Sequence, residues 1–291
     1  MDEAFLLDRH QVRRAFGRAA RTYDAAAVLA REVGARMLAR LDYIKFVPDF
    51  ILDAGSGTGH GSHQLKTRYP RAKLVALDHA LAMLERARAN NPRRWLPFLP
   101  PPVQHVCAAI ERMPLVSSRI GMVWCNLALQ WINQPQQAFA EMQRVLQPGG
   151  LLMFSTVGPD TLRELRQAFA ATDAYLHVHR FMDMHDLGDM LVQAGFTAPV
   201  MDMERITLTY AKVVSLMRDL KAMGAQNALQ DRRRALMSKS QLQAVERNYE
   251  PFRSEGRLPA TFEVVYGHAW KPEARVTPEG KAVIEIKSAK R

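Results

Sequence analysis

The sequence predicts a doubly wound α/β protein. It has a mostly parallel seven-stranded sheet, an N-terminal helical segment and a helical lid inserted before the last strand. Three observations predict this. Short apolar runs ending in Asp53 and Asp78 alternate with helix-period segments, the signature of strands joined by helical crossovers. Ile120-Gly121-Met122-Val123-Trp124-Cys125-Asn126-Leu127 is nearly continuously apolar, as suits a parallel strand covered on both faces. The first apolar run delivers Gly55-Ser56-Gly57-Thr58-Gly59 at its end, where open α/β sheets bind ligands.

In chain order, residues 8–42 carry apolar positions at helical spacing: Val12, Ala15, Phe16 and Ala19, then Val28, Leu29, Val33, Met37, Leu38 and Leu41. Thr22-Tyr23-Asp24 breaks the pattern, with Asp24 expected to cap the second helix. After Pro48 the first strand runs to Asp53, and a helix follows from Gly61 to Tyr69. Lys73–Asp78 is the second strand and Ala80–Ala89 an amphipathic helix. Trp95-Leu96-Pro97-Phe98-Leu99-Pro100-Pro101-Pro102 reads as a stiff connector, because its prolines forbid regular structure. Strands are then expected at Gln104–Ala108, Ile120–Leu127 and Leu151–Val157. A helix at Pro135–Leu146, with proline in its first turn, closes on a turn at Gln147-Pro148-Gly149-Gly150. Beyond Val157 the rhythm changes. Asp160–Ala171 and His185–Ala194 read as helices, Met203–Tyr210 and Thr261–Trp270 as strands, and residues 211–250 as wholly helical. The expected division is therefore 1–47 helical segment, 48–210 core, 211–250 lid, 251–270 last strand and 271–291 basic tail.

Composition sets the remaining bounds. Hydrophobic residues make up 48% and charged residues 24%, enough for a sizeable core. The formal charge of +11 points either to an acidic partner or to a solvated basic surface. Cys107 and Cys125 sit in apolar surroundings and read as reduced core thiols rather than a disulfide. Met1-Asp2-Glu3-Ala4-Phe5 is acidic and resembles no secretory leader, and no apolar stretch is long enough to span a bilayer. The expected location is the cytoplasm.

Alternating glycines let the backbone turn sharply and approach a ligand closely. Gly-x-Gly alone fits a tight strand-to-helix turn as well as a binding loop. Asp78 favours binding: it ends the second strand, 25 residues after Asp53, where an acid can accept both ribose hydroxyls of a nucleoside. The spacing departs from the Gly-x-Gly-x-x-Gly dinucleotide pattern, with His60 at the third glycine's offset. Asp53 beside the loop repels a pyrophosphate and suits an amino group or a sulfonium. S-adenosylmethionine is thus favoured over NAD.

Leu52-Asp53-Ala54-Gly55-Ser56-Gly57-Thr58-Gly59 resembles the first motif of class I S-adenosylmethionine-dependent methyltransferases. More specific segments resemble the malonyl-acyl-carrier-protein O-methyltransferases of biotin synthesis. These are Phe16-Gly17-Arg18-Ala19-Ala20 with Tyr23-Asp24, Asn126-Leu127-Ala128-Leu129-Gln130-Trp131, His179-Arg180-Phe181, Met217-Arg218-Asp219-Leu220-Lys221 and Gly224-Ala225-Gln226-Asn227. The resemblance spans about residues 11–270. It implies a Rossmann-like fold, S-adenosylmethionine as cofactor, and contacts to it from Tyr23, Asp53, Gly55, Gly57, Gly59, Asp78, Met83, Ala109, Ile110 and Asn126. Ala109 departs from the pattern, replacing an aspartate that bonds the adenine amino group, and Gly121 replaces an aspartate before the fourth strand. Asp160-Thr161-Leu162-Arg163-Glu164-Leu165-Arg166 and Leu258-Pro259-Ala260-Thr261 also resemble a mitochondrial complex I assembly factor that hydroxylates arginine. That hydroxylase, another small-molecule methyltransferase or a degenerate assembly factor is the alternative reading. Nucleic-acid methylation is disfavoured, since Asn126-Leu127-Ala128-Leu129 stands where an Asn-Pro-Pro-Tyr-like segment belongs.

The reaction implied is methyl transfer to the free carboxylate of malonyl-acyl carrier protein, or of malonyl-coenzyme A. A carboxylic acid with pKa near 4 is ionised at pH 7, so no catalytic base is expected. Gln130 and Trp131 are expected where substrate enters, although Trp131 suits lid packing equally. Arg180 either grips the substrate carboxylate through its guanidinium fork or pairs with Asp183 or Asp186. Tyr23 either closes over the cofactor or packs in the core. His177 and His179 read as loop histidines, with no metal expected because no acid or cysteine completes a site. Residues 211–291 hold 16 Lys and Arg against 9 acids. Arg218 with Lys221, and Arg232, Arg233 and Arg234, are therefore candidate docking points for an acidic carrier protein, as is the pair Arg163 and Arg166.

Overall fold

The structure, a computed structural model, describes residues 6–90 and 103–273. The acidic N-terminal residues, the proline-rich connector and most of the basic tail lie outside the described residues. Seven strands form one sheet in the order β3-β2-β1-β4-β5-β7-β6. β1 (Phe50–Ala54), β2 (Lys73–Asp78), β3 (Val103–Cys107), β4 (Ile120–Asn126) and β5 (Leu146–Val157) run parallel to one another. β7 (Leu258–Trp270) is antiparallel to both β5 and β6 (Thr197–Tyr210). Strand order reverses beside β1, which pairs with β2 on one side and β4 on the other. That switch point, at the carboxyl ends of the strands, is where such sheets form a crevice.

Alternate strand residues feed opposite cores, as the two-residue side-chain period requires. Ile51, Met122 and Trp124 join one core with Val33 and Met37 of α3 (Val28–Arg40) and Leu65 of α4 (His60–Arg68). Leu52, Val123 and Cys125 join the other with Phe139 and Met142 of α6 (Pro135–Val145) and Leu187 of α8 (Met184–Gln193). α5 (Leu81–Asn90) and α7 (Arg163–Ala170) complete the layers. Strands buried on both faces explain the unbroken apolar run of β4.

The N-terminal segment forms α1 (Arg9–Ala19), the short α2 (Tyr23–Ala26) and α3. Asp24 does not cap α3. It lies within α2, and its carboxylate accepts hydrogen bonds from Thr58 Oγ1 and Asn90 Nδ2, which tie α2 to the glycine loop. The lid also differs from expectation. α9 (Val213–Ala222) and α10 (Lys239–Tyr249) are separated by a non-helical segment, 223–238. Gly224, at φ +77°, ends α9 against the Phe16 backbone. Residues 228–230 then make backbone bonds to Asp8 and Leu6, which compete with helix formation. α10 restarts at a capping box between Ser238 and Gln241.

Two smaller expectations change. The segment 147–150 is the entry of β5 rather than a free turn, because Gly149 and Gly150 bond the Lys271 backbone. Cys125 is buried but Cys107 is exposed, since β3 is an edge strand with one open face; neither forms a disulfide. Gly121 lies inside β4, within the expected strand, at a position with little room for a side chain. A Cβ there would sit 3.2 Å from Pro48 Cβ and 3.3 Å from the Phe50 carbonyl oxygen. Among the described residues no helix is long and apolar enough to cross a membrane.

Candidate active site

Three strand ends converge at the switch point: Asp53 on β1, Asp78 on β2 and Asn126 on β4. The glycine loop turns from β1 into α4 with Gly55, Gly57 and Gly59 at φ +79°, +52° and +85°, a region open to glycine at little cost. Its course is set by the Gly55 and Ser56 N–H groups, which donate to the Leu77 carbonyl at 2.8 and 3.0 Å. Gly57 N–H donates to Asp78 Oδ2 at 3.0 Å and Ala80 N–H to Oδ1 at 2.8 Å, so the second acid is locked against the loop. Leu127, just past β4, holds φ +49°, with its N–H donated to Ser155. Such strain in a non-glycine residue persists only where surrounding structure over-determines it.

Three cavities open here and share walls. The first, about 280 Å³, lies beside Asp53 and the loop. The second, about 100 Å³, lies beside Asp78, Met83, Ala109 and Ile110. Tyr23, Gly55, Gly57 and Asn126 belong to both. All ten residues expected around the cofactor line one or both cavities. The third, about 130 Å³, is mainly apolar, bounded by Leu127, Trp131, Leu165 and Phe262, and joins the others through Tyr23. Trp131 stands edge-on between Phe16 and His179, ring centroids 5.2 Å from each.

The donor set of the first cavity suits an amino-acid group. Asp53 is 2% exposed and accepts from Ser62 Oγ at 2.6 Å; burial nonetheless pushes its carboxyl up to about 7. A cation brought beside it would restore the ionised form. Ser56 Oγ, Gln64 Oε1 and Trp124 Nε1 are buried on the same walls without a hydrogen-bond partner, and Arg31 adds a guanidinium. Trp124 is the register neighbour of Asp53, and a Cβ on Gly61 would lie 3.3 Å from both Asp53 Oδ2 and Trp124 Nε1. Unpartnered buried polar atoms are costly and call for a ligand or water. The second cavity adds an acid at a strand end and apolar walls, which suit a ribose and a base. Together the two fit S-adenosylmethionine. Asp78 is also raised, by desolvation, against the opposing pull of His79 and the backbone donors.

Gln130 lines the apolar cavity, its amide fixed by Leu127 O at 2.8 Å and Thr156 Oγ1 at 3.2 Å. Arg180 does not line it. The chain there buries Val178 and His179 and turns Phe181 inward, and the Arg180 side chain is exposed. His179 is a loop histidine, as expected, but a buried one. It is 6% exposed, its Nε2 accepts from Ala228 N–H at 3.0 Å, and burial pushes its pKa down to about 4. His177 stacks on Phe169 and pairs with Asp173 at 2.8 Å. No three acid, histidine or cysteine groups among the described residues converge as a metal site. Arg218 and Lys221 are exposed on α9, and Arg232–Arg234 lie in the segment before α10. Arg31, Gln64 and Trp124 escaped the sequence reading. Trp124 looks like core in an apolar run; its one available signal is its place on the strand paired with Asp53.

Fold and cavities define a class I S-adenosylmethionine-dependent methyltransferase. A methyltransferase-domain family model matches residues 52–154. Solved structures share the fold: the YcgJ protein of Bacillus subtilis at 12% identity (81% of this chain, 98% of that one, TM-score 0.56) and the [4+2]-cyclase SpnF at 18% (82% and 82%, TM-score 0.52). Full-length similarity is narrower. Malonyl-[acyl-carrier protein] O-methyltransferases of Methylovorus sp., Nitrosospira multiformis and Laribacter hongkongensis are 52%, 54% and 54% identical, over 98%, 96% and 98% of this chain and 97%, 95% and 98% of their own lengths. The chain belongs to the malonyl-[acyl-carrier protein] O-methyltransferase family. These relatives favour methyl transfer over the hydroxylase or assembly-factor alternative.

Proposed function

We propose that the protein methylates the free carboxylate of a malonyl thioester carried on acyl carrier protein, giving the methyl ester that enters biotin synthesis. The observation that carries this is the chain's full-length likeness to three malonyl-[acyl-carrier protein] O-methyltransferases, at 52%, 54% and 54% identity. The titratable groups on the described walls of the apolar cavity are Tyr23, His177 and His179. Desolvation and the Asp78 and Asp24 carboxylates push the Tyr23 phenol up to about 12. His177 bonds Asp173 through Nε2, and the Nε2 lone pair of His179 is already used. A carboxylate arrives ionised and needs none of these groups as a base.

Bound S-adenosylmethionine supplies an electrophilic methyl group on a sulfonium. The chain's contribution is alignment and exclusion of water. Asp53 takes the cofactor's ammonium, Asp78 its ribose hydroxyls, and Met83, Ala109 and Ile110 its base. Tyr23, common to all three cavities, separates cofactor from substrate. Trp131 and Gln130 form the wall along which the malonyl group lies. The deciding experiment is mass spectrometry of malonyl carrier protein incubated with enzyme and cofactor. A gain of one methyl, saponified back to the starting mass, is expected; an unchanged mass refutes the proposal. Malonyl-coenzyme A and free malonate run alongside rank the carriers.

Two further results are expected. Ala109→Asp restores a carboxylate beside the base and tightens S-adenosylhomocysteine binding by about 1–2 kcal/mol, measured by calorimetry. An unchanged or weaker affinity means that position 109 does not face the adenine amino group. Arg218→Gln with Lys221→Gln, both exposed, raises KM for the carrier-bound substrate by roughly threefold to tenfold at low salt and leaves kcat alone, the difference fading at high salt. An unchanged KM at low salt removes α9 from the docking face.

A further inference from the structure

Beyond the apolar cavity lies an outer one of about 550 Å³, and the two share His177 and Asn227 as walls. Their linings contrast. The outer cavity carries Arg232, Arg233 and Arg234, with Asp173 the single acid among its described walls. Arg232 is pinned by the Leu229 carbonyl at 2.8 Å and lies 3.4 Å from Asp8. Arg233 lies 3.6 Å from Asp173, which is already engaged by His177. Arg234 makes no hydrogen bond or ion pair with the described residues. The side chains of Arg232 and Arg233 are only 18% and 23% exposed, so two loosely paired cations sit partly desolvated beside a third. Such a cluster is costly until an anion with several acceptor oxygens enters it.

The segment bearing these arginines is not a free loop. Backbone bonds from Asp8 to Ala228 at 2.7 Å and from Gln230 to Leu6 at 2.9 Å hold one side. Asn227 Nδ2 donates to the Leu176 carbonyl, and Ala228 N–H to His179, on the other. The cations are therefore fixed at the outer end of a row of cavities that begins at the glycine loop: cofactor, apolar chamber, the His177–Asn227 threshold, arginine groove.

A malonyl thioester on a carrier presents its chemistry in the same order. The carboxylate leads, the thioester and a chain of amides follow, and a phosphate closes the pantetheine arm. We propose that the outer cavity is the seat of that phosphate, with Arg233 and Arg234 as its donors. The pantetheine chain crosses the His177–Asn227 threshold and sets the malonyl end in the apolar chamber. This rests on the carrier-thioester reading above, and it assigns Arg233 and Arg234 to the prosthetic arm rather than to the carrier's protein surface.

The test is calorimetric titration of the S-adenosylhomocysteine-saturated protein with 4′-phosphopantetheine, pantetheine and coenzyme A at low salt. Phosphopantetheine is expected to bind about tenfold tighter than pantetheine, the effect of a charge-assisted contact. Arg233→Gln with Arg234→Gln erases that ratio and leaves pantetheine binding as it was, while the Lys double variant keeps most of it. Absence of discrimination in the wild type, or a ratio that survives in the Gln variant, overturns the proposal. Equal loss of both ligands also overturns it, since the wall and not the charge then matters. Arginine-dependent binding of coenzyme A tighter than phosphopantetheine overturns it too, by giving the arginines to the nucleotide's further phosphates. Methyl transfer to malonyl carrier protein, measured in parallel, fails independently. Phosphate discrimination without methylation refutes the substrate and leaves the seat standing.

Discussion

Asp53→Asn abolishes tight cofactor binding and, at the same time, raises the melting temperature of the ligand-free protein above pH 7. The two effects have one cause. The Asp53 carboxylate is buried beside Trp124 with Ser62 Oγ as its only side-chain donor among the described residues, and desolvation lifts its pKa from 3.8 to about 7. A carboxyl whose folded pKa lies above its unfolded value binds more protons in the native state between those two pH values. Stability is then complete below the unfolded pKa and is lost as pH rises through the folded one. An uncharged isostere carries no such penalty, so the variant gains on the order of 2–4 kcal/mol at pH 8 and nothing at pH 3. Binding moves the other way. On the role proposed for Asp53, the cofactor ammonium loses its buried counter-charge, a cost of about 3 kcal/mol or more, or at least a hundredfold in Kd. Wild-type affinity weakens as pH falls below 7 and the carboxyl takes up its proton, whereas the variant shows no such slope. Scanning calorimetry and titration across pH 5–8 check both. A variant that melts lower at pH 8, with cofactor affinity intact, makes Asp53 a structural residue.

Gly55→Ala closes the cavity, and Ala128→Gly reopens it in part. A Cβ on Gly55 would lie 2.4 Å from Ala128 Cβ, well inside contact distance, and Gly55 holds φ +79°. The single variant thus combines a collision with a left-handed backbone, the latter alone costing about 1–2 kcal/mol. Because Gly55 walls both cofactor cavities, any shift of the β4 exit that relieves the collision moves Leu127 and Ala128 against the ligand. A loss of at least about a hundredfold in kcat/KM is expected, equivalent to roughly 3 kcal/mol. Removing the Ala128 methyl in the double variant deletes the collision but not the backbone strain, so a tenfold or greater recovery is expected, short of wild type. Additive losses in the double variant show that the two residues do not meet.

Much of the candidate cofactor site is legible in the sequence. Glycines at alternate positions after an apolar run, an acid ending that run and another ending the next are local signals, each tied to a backbone geometry that few residues satisfy. Trp124, Gln64 and Arg31 carry no such signal. A tryptophan in a buried strand, a glutamine in a helix and an arginine in a basic segment acquire their roles only when α3 and α4 pack over β1 and β4. Arg180 illustrates the converse. Its motif suggests a place at the substrate, yet its neighbours Val178, His179 and Phe181 take the inward positions and leave it exposed. Helical periodicity across 211–250 misleads for a related reason. Hydrogen bonds from 228–230 to residues 6–8, some 220 positions away, outweigh local propensity over 223–238.

Local chain chemistry thus dictates the alternation of strand and helix and the loop that turns under the cofactor, because side-chain period and positive φ are properties of short segments. The apolar chamber and the arginine groove are decided by packing. Phe16, Trp131, His179, Asn227 and Phe262 come from five distant stretches, and no short-range pattern brings them to one wall. Only tertiary packing of the N-terminal helices, the segment after α9 and the sheet joins them.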